Sequence, residues 1–351
     1  MPRLNAQNVE RNKFVAGLLE PAQVGKREDF ADVISMVDIK STPFTSMCPK
    51  GSEPANTIFD WLMDAYDPPV LGGIIDGVDV QSSDYVNPAS LRAKGHGRVQ
   101  KFRKAFFISD FAQNVSDVAG VGKRGEQQRA VKKVIVELKR SMEATFCADQ
   151  DSQADNGSTN AYLTRGLGTW VSNTAQGDLP VPSTFLTPAT SIIAMTTATM
   201  IEDDVNGIME SCYQQTGEQT DFDLICGTAL KKRFSSFAAW VPSAVSTVPL
   251  RRFNQDATDK QIINTVDFWQ GDFGSVKLVL SLFLAAQSAV ANVRNGRGYL
   301  VDWDDIELRY NRQPAYQENP NLGGGPRGYV DAICGLAVYN PLGFCKIAPT
   351  A

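Results

Sequence analysis

The chain has 351 residues, 43% of them hydrophobic and 21% charged, and a formal net charge of −5. That length supports two ordinary domains with a substantial core, and no apolar run reaches the roughly 20 residues of a membrane-crossing helix. Asp and Glu outnumber Lys and Arg, so no cationic excess is present to release counterions from a phosphate backbone, and tight or sequence-specific DNA binding is not expected.

The first residues, MPRLNAQNVERNKF, alternate charge and polarity without the apolar stretch of a secretory signal, which predicts folding in a cytoplasm. Six cysteines are scattered without a CxxC pair, most in apolar contexts, and read as buried free thiols. Residues 1–55 form an arm with a short helical stretch at REDFADVISMVDI and a turn at Ser41-Thr42-Pro43. An extended hairpin is predicted over 56–105, with FDWLMDAYDPPV leading out, a glycine-rich tip at Gly72, Gly73 and Gly77, and VQKFRKAFFISDF leading back. Its charges are segregated. Asp60, Asp64, Asp67, Asp76, Asp79 and Asp84 lie on the outgoing limb, and Arg92, Lys94, Arg98, Lys101, Arg103 and Lys104 on the return.

A long helix is predicted over 122–149, with Val131, Ile135, Leu138, Met142 and Phe146 at helical spacing and Lys133/Glu137 and Lys139/Glu143 as i,i+4 pairs on the other face. It opens a region, 106–187, that ends in the polar tract DQDSQADNGSTN and a Thr- and Pro-containing connection. Residues 188–295 read as an α+β domain. Thr199 and Glu202 suggest a capping box for a helix burying Ile201, Val205, Ile208, Met209 and Cys212, and Gly217 ends it. A strand FDLICG, a helix TALKKRFSSF and a strand pair joined at Gly271-Asp-Phe-Gly274 follow. Residues 296–351 contribute closing strands, YLVDWDDIELRYNRQP and AICGLAVYNPLGF, around a turn at NLGGGPRG. No internal repeat is found.

The residues give catalysis little to work with. His96 is the only histidine, set between Gly95 and Gly97, and reads as a solvated loop residue rather than a base or metal ligand. Asp149, Asp151, Gln153 and Asp155 begin like a calcium loop, but Asn156 and Tyr162 stand where its glycine and bidentate glutamate belong. Gly120-Val-Gly122-Lys123 lacks the upstream glycine of a phosphate loop, Asp117 holding its place, and Arg124 replaces the Ser or Thr. Glu202-Asp203-Asp204 and the Asp302, Asp304, Asp305 group read as solvated surface rather than Mg²⁺ sites. No catalytic, cofactor-binding or metal residue is assigned, and no enzyme activity is expected.

The order of parts and several motifs carry a resemblance: REDFADVISMVDIKSTPFTSM, FRKAFFISDFAQNVSDVAG with the helix containing ELKRSMEA, FDLICGTALKKRFSSF, VDFWQGDFGSVKLVLSLFL and GLAVYNPLGF. Together they resemble the Hong Kong 97-like fold of tailed-bacteriophage major capsid proteins, from about Arg27 to Ile347. The tract from Asp149 to Pro188 and the connection from Ala285 to Gly298 depart from that pattern. The resemblance implies an α+β fold with an N-arm (1–55), an E-loop (56–105), a peripheral domain with a spine helix (106–187, completed by 296–351) and an axial domain (188–295).

It also implies hexamers and pentamers tiling an icosahedral viral head around double-stranded DNA. The hairpin would lie over a neighbour, and the arm would embrace another. Expected partners are further copies of the chain, scaffolding, portal and decoration or cement proteins, and DNA contacted non-specifically, which the acidic balance suits; a membrane is not among them. A bacterial encapsulin shell, with enzyme cargo in place of DNA, and an unrelated enzyme remain alternative readings. With the arm motif starting so near Met1, a full-length mature chain is expected. No lysine lies between Glu53 and Leu91, so a shell without covalent crosslinks is expected too. Arg98, Lys101, Arg103 and Lys104 either close the hairpin on itself or dock on acidic surface of an adjacent subunit. On the second reading, reversing Lys101 and Arg103 to Glu blocks assembly without lowering monomer stability.

Overall fold

The computed structural model describes residues 41–114, 125–237, 266–284 and 295–349. The arm helix expected near REDFADVISMVDI, the Gly120–Lys123 motif and most of the Ala285–Gly298 connection lie outside them.

The described chain opens with a short helix, α1 (Pro43–Met47), where Pro43 takes the first-turn position that needs no N–H. Phe44 is buried, its ring 6.4 Å from that of Phe146 and 5.8 Å from that of Trp303. Strands β1 (Ile58–Met63) and β2 (Ala93–Arg98) form an antiparallel hairpin base with Phe59 opposite Gly97 and Trp61 opposite Gly95. A Cβ on either glycine would run into the facing ring, which explains the sequence Lys-Gly-His-Gly-Arg. His96 is therefore a strand residue and not a solvated loop one: its Nδ1 lies 2.8 Å from an Asp60 carboxylate oxygen across the pair.

The predicted hairpin over 56–105 is cut short. Beyond Val99 the return limb becomes β3 (Gln100–Phe107), which pairs with β10 (Arg327–Val338), itself paired with β9 (Ile306–Asn319), in a separate three-stranded antiparallel sheet. The reason is burial. Phe102 and Phe106 alternate onto the inner face, and Phe102 meets Phe146 of the long helix at 6.0 Å. A free two-stranded ribbon offers no such surface.

After the short helix α2 (Asp110–Asn114) comes the long helix α3 (Gly125–Phe146), shorter than the predicted 122–149 at its C-terminal end. Val134, Leu138, Met142 and Phe146 recur every four residues and are buried against the three-stranded sheet. Val131 and Ile135 are only half-buried. Lys133 and Glu137 pair at 3.8 Å, but Glu143 turns inward and does not pair with Lys139. The following tract, read as a polar connection, packs Leu167, Trp170, Val171, Val181 and Phe185 into the same core, the first two from the one-turn helix α4 (Leu167–Trp170).

A six-stranded mixed sheet has the order β4, β11, β8, β5, β7, β6, from β4 (Ile192–Ile193), β5 (Thr220–Cys226), β6 (Phe268–Gly271), β7 (Gly274–Leu280), β8 (Gly298–Val301) and β11 (Cys345–Ile347). Helices α5 (Glu202–Thr216) and α6 (Thr228–Phe237) cover it and share a second core with it. Thr199 does not cap α5; it closes a turn with Thr196, and Asp204 accepts the Ile201 N–H instead, leaving Ile201 exposed. Gly217 ends the helix at φ 74°, a conformation glycine adopts without penalty.

The segment 296–351 therefore does not serve one domain alone. β9 and β10 complete the three-stranded sheet, whereas β8, wholly buried, and β11 insert between β4 and β5 of the six-stranded one. Asp149, just past α3, pins the two together: it forms ion pairs with Arg297 beside β8 and, at 3.0 Å, with Lys346 of β11. Burial alone would raise its pKa, but the two cations hold its carboxyl below the usual range.

Candidate assembly surface

The hairpin closes at its base with the Arg92–Asp64 ion pair, 3.0 Å across the strands. Beyond this point every residue from 64 to 90 is exposed. Gly72 and Gly77 turn the backbone at φ 141° and 84°, and Asp84 accepts the Gln81 N–H in a single helical turn, so the segment has local turns but no core. Its composition conflicts with that exposure. Nine large apolar side chains stand free along it, among them Leu71 at 97%, Ile74 at 89% and Ile75 at 78% accessible. A contiguous apolar stretch of this kind on an isolated chain marks a contact surface.

The four basic residues read as one candidate set are separated by the fold. Arg98 is 5% exposed, donates to Asp178 at 3.0 Å and lies over the Tyr162 ring at 5.7 Å, so it belongs to the chain's own interior. Lys104 follows the pleat of β3 onto the same side as Phe102 and sits opposite buried Val330, although it is itself exposed. Only Lys101 and Arg103 share the outer face. Both reach Asp331 at 3.5 Å, where Arg312 of β9 joins them at 3.3 Å.

Asp331 is wholly buried beneath these cations. Burial pushes its carboxyl up, but the hydrogen bond and charge of Arg312, with Lys101 and Arg103, outweigh it and hold the pKa below the ordinary value. Arg103 also lies 4.4 Å over the Tyr329 ring. Three cations on one carboxylate leave a net positive face, and each cation keeps close to half of its side chain in solvent.

The reading that opposite charges simply close the hairpin applies to one pair, Asp64 with Arg92, while Asp60 makes a cross-strand hydrogen-bond contact with the His96 ring. Lys101 and Arg103 do not close the hairpin, because their partner comes from β10. Reversing them to Glu would crowd three carboxylates around a buried site, so that pair of substitutions would lower monomer stability whatever happens between subunits.

The carboxylates that resembled a calcium loop diverge. Asp149 goes to Arg297 and Lys346, and Asp151 to Arg165 at 3.0 Å. Among the described residues no cluster of His, Cys, Asp and Glu could hold a metal ion, and no helix is long and apolar enough to cross a membrane.

Residues 10–351 match the family described as SU10 major capsid protein. The chain belongs to the SU10 major capsid protein family. Solved structures agree at the level of fold: the capsid of cyanophage P-SCSP1u is similar with a TM-score of 0.55 and 12% identity, covering 97% of this chain and 98% of that one. The capsid of a native GTA particle gives 0.58 at 10% identity, covering 93% and 96%, and a structure from Mycobacterium phage Bobi 0.56 at 9%, covering 98% and 99%. No curated protein matches. This SU10-type capsid protein therefore has the α+β, Hong Kong 97-like capsid fold and is a structural, capsid-forming component of a phage virion that associates with its own copies.

For a capsid protein of this family, the surface features missed in the sequence are Arg312 and Asp331. They stand more than 200 residues from Lys101 along the chain, and no local spacing links them. The one available signal was Asp331 itself, a lone carboxylate in the otherwise apolar strand YVDAICGLAV.

Proposed function

We propose that this chain builds an icosahedral phage head as hexamers and pentamers, enclosing double-stranded DNA that it contacts without sequence preference. The exposed apolar loop at 64–90 supports this reading best. Covering its nine large side chains with a neighbouring copy stabilises the contact by on the order of 10 kcal/mol before ordering costs are deducted. The loop then lies over the adjacent subunit, and the cationic face formed by Lys101 and Arg103 docks on acidic surface between copies. Scaffolding, portal and decoration or cement proteins are the expected partners, with assembly in the host cytoplasm.

Negative-stain microscopy of the expressed full chain should show closed shells, tubes or capsomers. Only featureless monomers, at concentrations where relatives assemble, would refute the proposal, and particles filled with enzyme and free of DNA would point to an encapsulin-type shell. Residues 53–91 hold no lysine to crosslink. Virions boiled in detergent should accordingly release one monomer band, and a surviving ladder would count against a shell held by contacts alone.

A further inference from the structure

Resting on the shell-forming reading, we propose that the face built by Lys101, Arg103 and Arg312 is the receptor for the free carboxylates of the loop, Asp67, Asp76 and Asp79, of a second copy. The two surfaces complement each other in charge, and among the described residues each lacks a complete partner. On one side three cations converge on the single carboxylate of Asp331, leaving a positive excess with half of each side chain in solvent. On the other, residues 53–91 contain no Lys or Arg, and Asp60, Asp64 and Asp84 are engaged within the hairpin. Asp67, Asp76 and Asp79 stand exposed, and among the described residues no cation pairs with them.

The chain's own loop does not occupy its own cationic face, because every residue from 64 to 90 is exposed. Each limb of about fourteen residues spans up to about 45 Å when extended, enough to cross onto a neighbour. Apolar character agrees as well. Arg103 lies over Tyr329, with half-buried Ile333 opposite Lys101, so cations alternate with apolar surface as carboxylates alternate with Val78 and Val80 in the loop. Asp331 holds the cations in place while its own charge is masked, so the site is preorganised for a second acid.

The test uses shells assembled from a mixture of isotopically light and heavy full-length chain, treated with a carbodiimide that joins amines directly to carboxylates. Peptides linking Lys101 to Asp67, Asp76 or Asp79 across light and heavy copies are expected. Asp67→Asn/Asp76→Asn/Asp79→Asn should leave the subunit's melting temperature unchanged, because these side chains are exposed and pair with none of the described residues. It should weaken assembly by on the order of tenfold and remove its salt sensitivity. Arg103→Gln, which leaves Lys101 and Arg312 on Asp331, should weaken assembly in the same direction.

Shells that form normally but join Lys101 only to other carboxylates, or loop variants that assemble with wild-type yield and salt response, would overturn the inference while leaving the capsid reading intact. Normal assembly of the loop variant with loss of packaged DNA from the Arg103 variant would assign the face to nucleic acid instead. Failure of the wild-type chain to form shells would overturn both.

Discussion

Two long stretches of irregular chain leave this fold, and they have opposite fates. Residues 64–90 are apolar, acidic and wholly exposed, whereas 149–187, more polar in sequence, is threaded through the core. The second is organised by one side chain. Arg165 is 1% exposed, pairs with Asp151 at 3.0 Å, donates to the Leu179 carbonyl at 2.9 Å and to that of Asp178 at 2.5 Å, and lies 4.7 Å over the Trp170 ring. Leu179 accepts a left-handed φ of 48° to bring its carbonyl there. Asp178 continues the network to Arg98. A loop that spends its polar groups on its own backbone is part of its own domain; one that exposes Leu and Ile without a partner is built for another molecule.

The largest loss of subunit stability is expected at Arg165. Substituting Met removes the cation paired with Asp151 and strands the Leu179 carbonyl, while the Asp178 carbonyl keeps the Ser152 hydroxyl, so the subunit should lose about 2–3 kcal/mol in urea unfolding. A loss under about 1 kcal/mol would mean that the segment is held by its apolar residues and that the network is incidental.

Arg165 also shows where the sequence was legible. Helical spacing exposes Leu138, Met142 and Phe146 of α3 and the inward face of α6, and β5 and the β6–β7 turn announce themselves through apolar runs that end in glycine, because in each the signal is local. The 149–187 segment has no period, since side chain to backbone bonds hold it, and its sequence therefore reads as a polar connection. Similarly, the charge segregation of the hairpin was visible, but not its meaning: β3 changes sheets by pairing with a strand more than 200 residues away, and that choice scatters Arg98, Lys101, Arg103 and Lys104 over three environments.

Glu143 sharpens the same contrast at a smaller scale. Pro43 supplies no N–H to the first turn of α1, and the next two donors, Phe44 N–H and Thr45 N–H, reach the Glu143 carboxylate from across the fold at 2.9 and 2.7 Å. Burial still dominates and raises its pKa above the ordinary value, with the hydrogen bonds from Thr45 and Phe44 opposing. Gln at this position keeps one good acceptor for two donors, and a loss of about 1–3 kcal/mol at neutral pH is expected. The pH signature is distinct. Because the folded state holds this proton more tightly, the wild type's unfolding free energy should fall as pH rises from about 4.5 through the raised value, and Glu143→Gln should lack that slope. Asp331 and Asp149 act in the opposite sense, their lowered values withdrawing stability as pH drops below about 3.8. Parallel slopes in the wild type and Glu143→Gln would show that Glu143 titrates normally.

The smallest effect on the subunit should accompany the largest effect on the shell. Leu71, Ile74 and Ile75 are among the most exposed large side chains of the loop, so Leu71→Ser/Ile74→Ser/Ile75→Ser removes no buried contact among the described residues. Surface changes of this kind fall within about 0.5 kcal/mol, and the variant subunit should melt where the wild type does while staying more soluble. Each side chain, once buried against a neighbour, would contribute about 1.5–3 kcal/mol, repeated at every copy around the shell. Light scattering during assembly should therefore show the variant remaining as free subunits under conditions where the wild type closes. Should the variant assemble equally well, the apolar side chains of the loop are not a structural contact, and the cationic face together with the charge of Asp67, Asp76 and Asp79 would have to hold neighbours in register without them. Should it melt early, the loop packs on its own chain in solution, and the opposition between the two irregular segments would lose its physical basis.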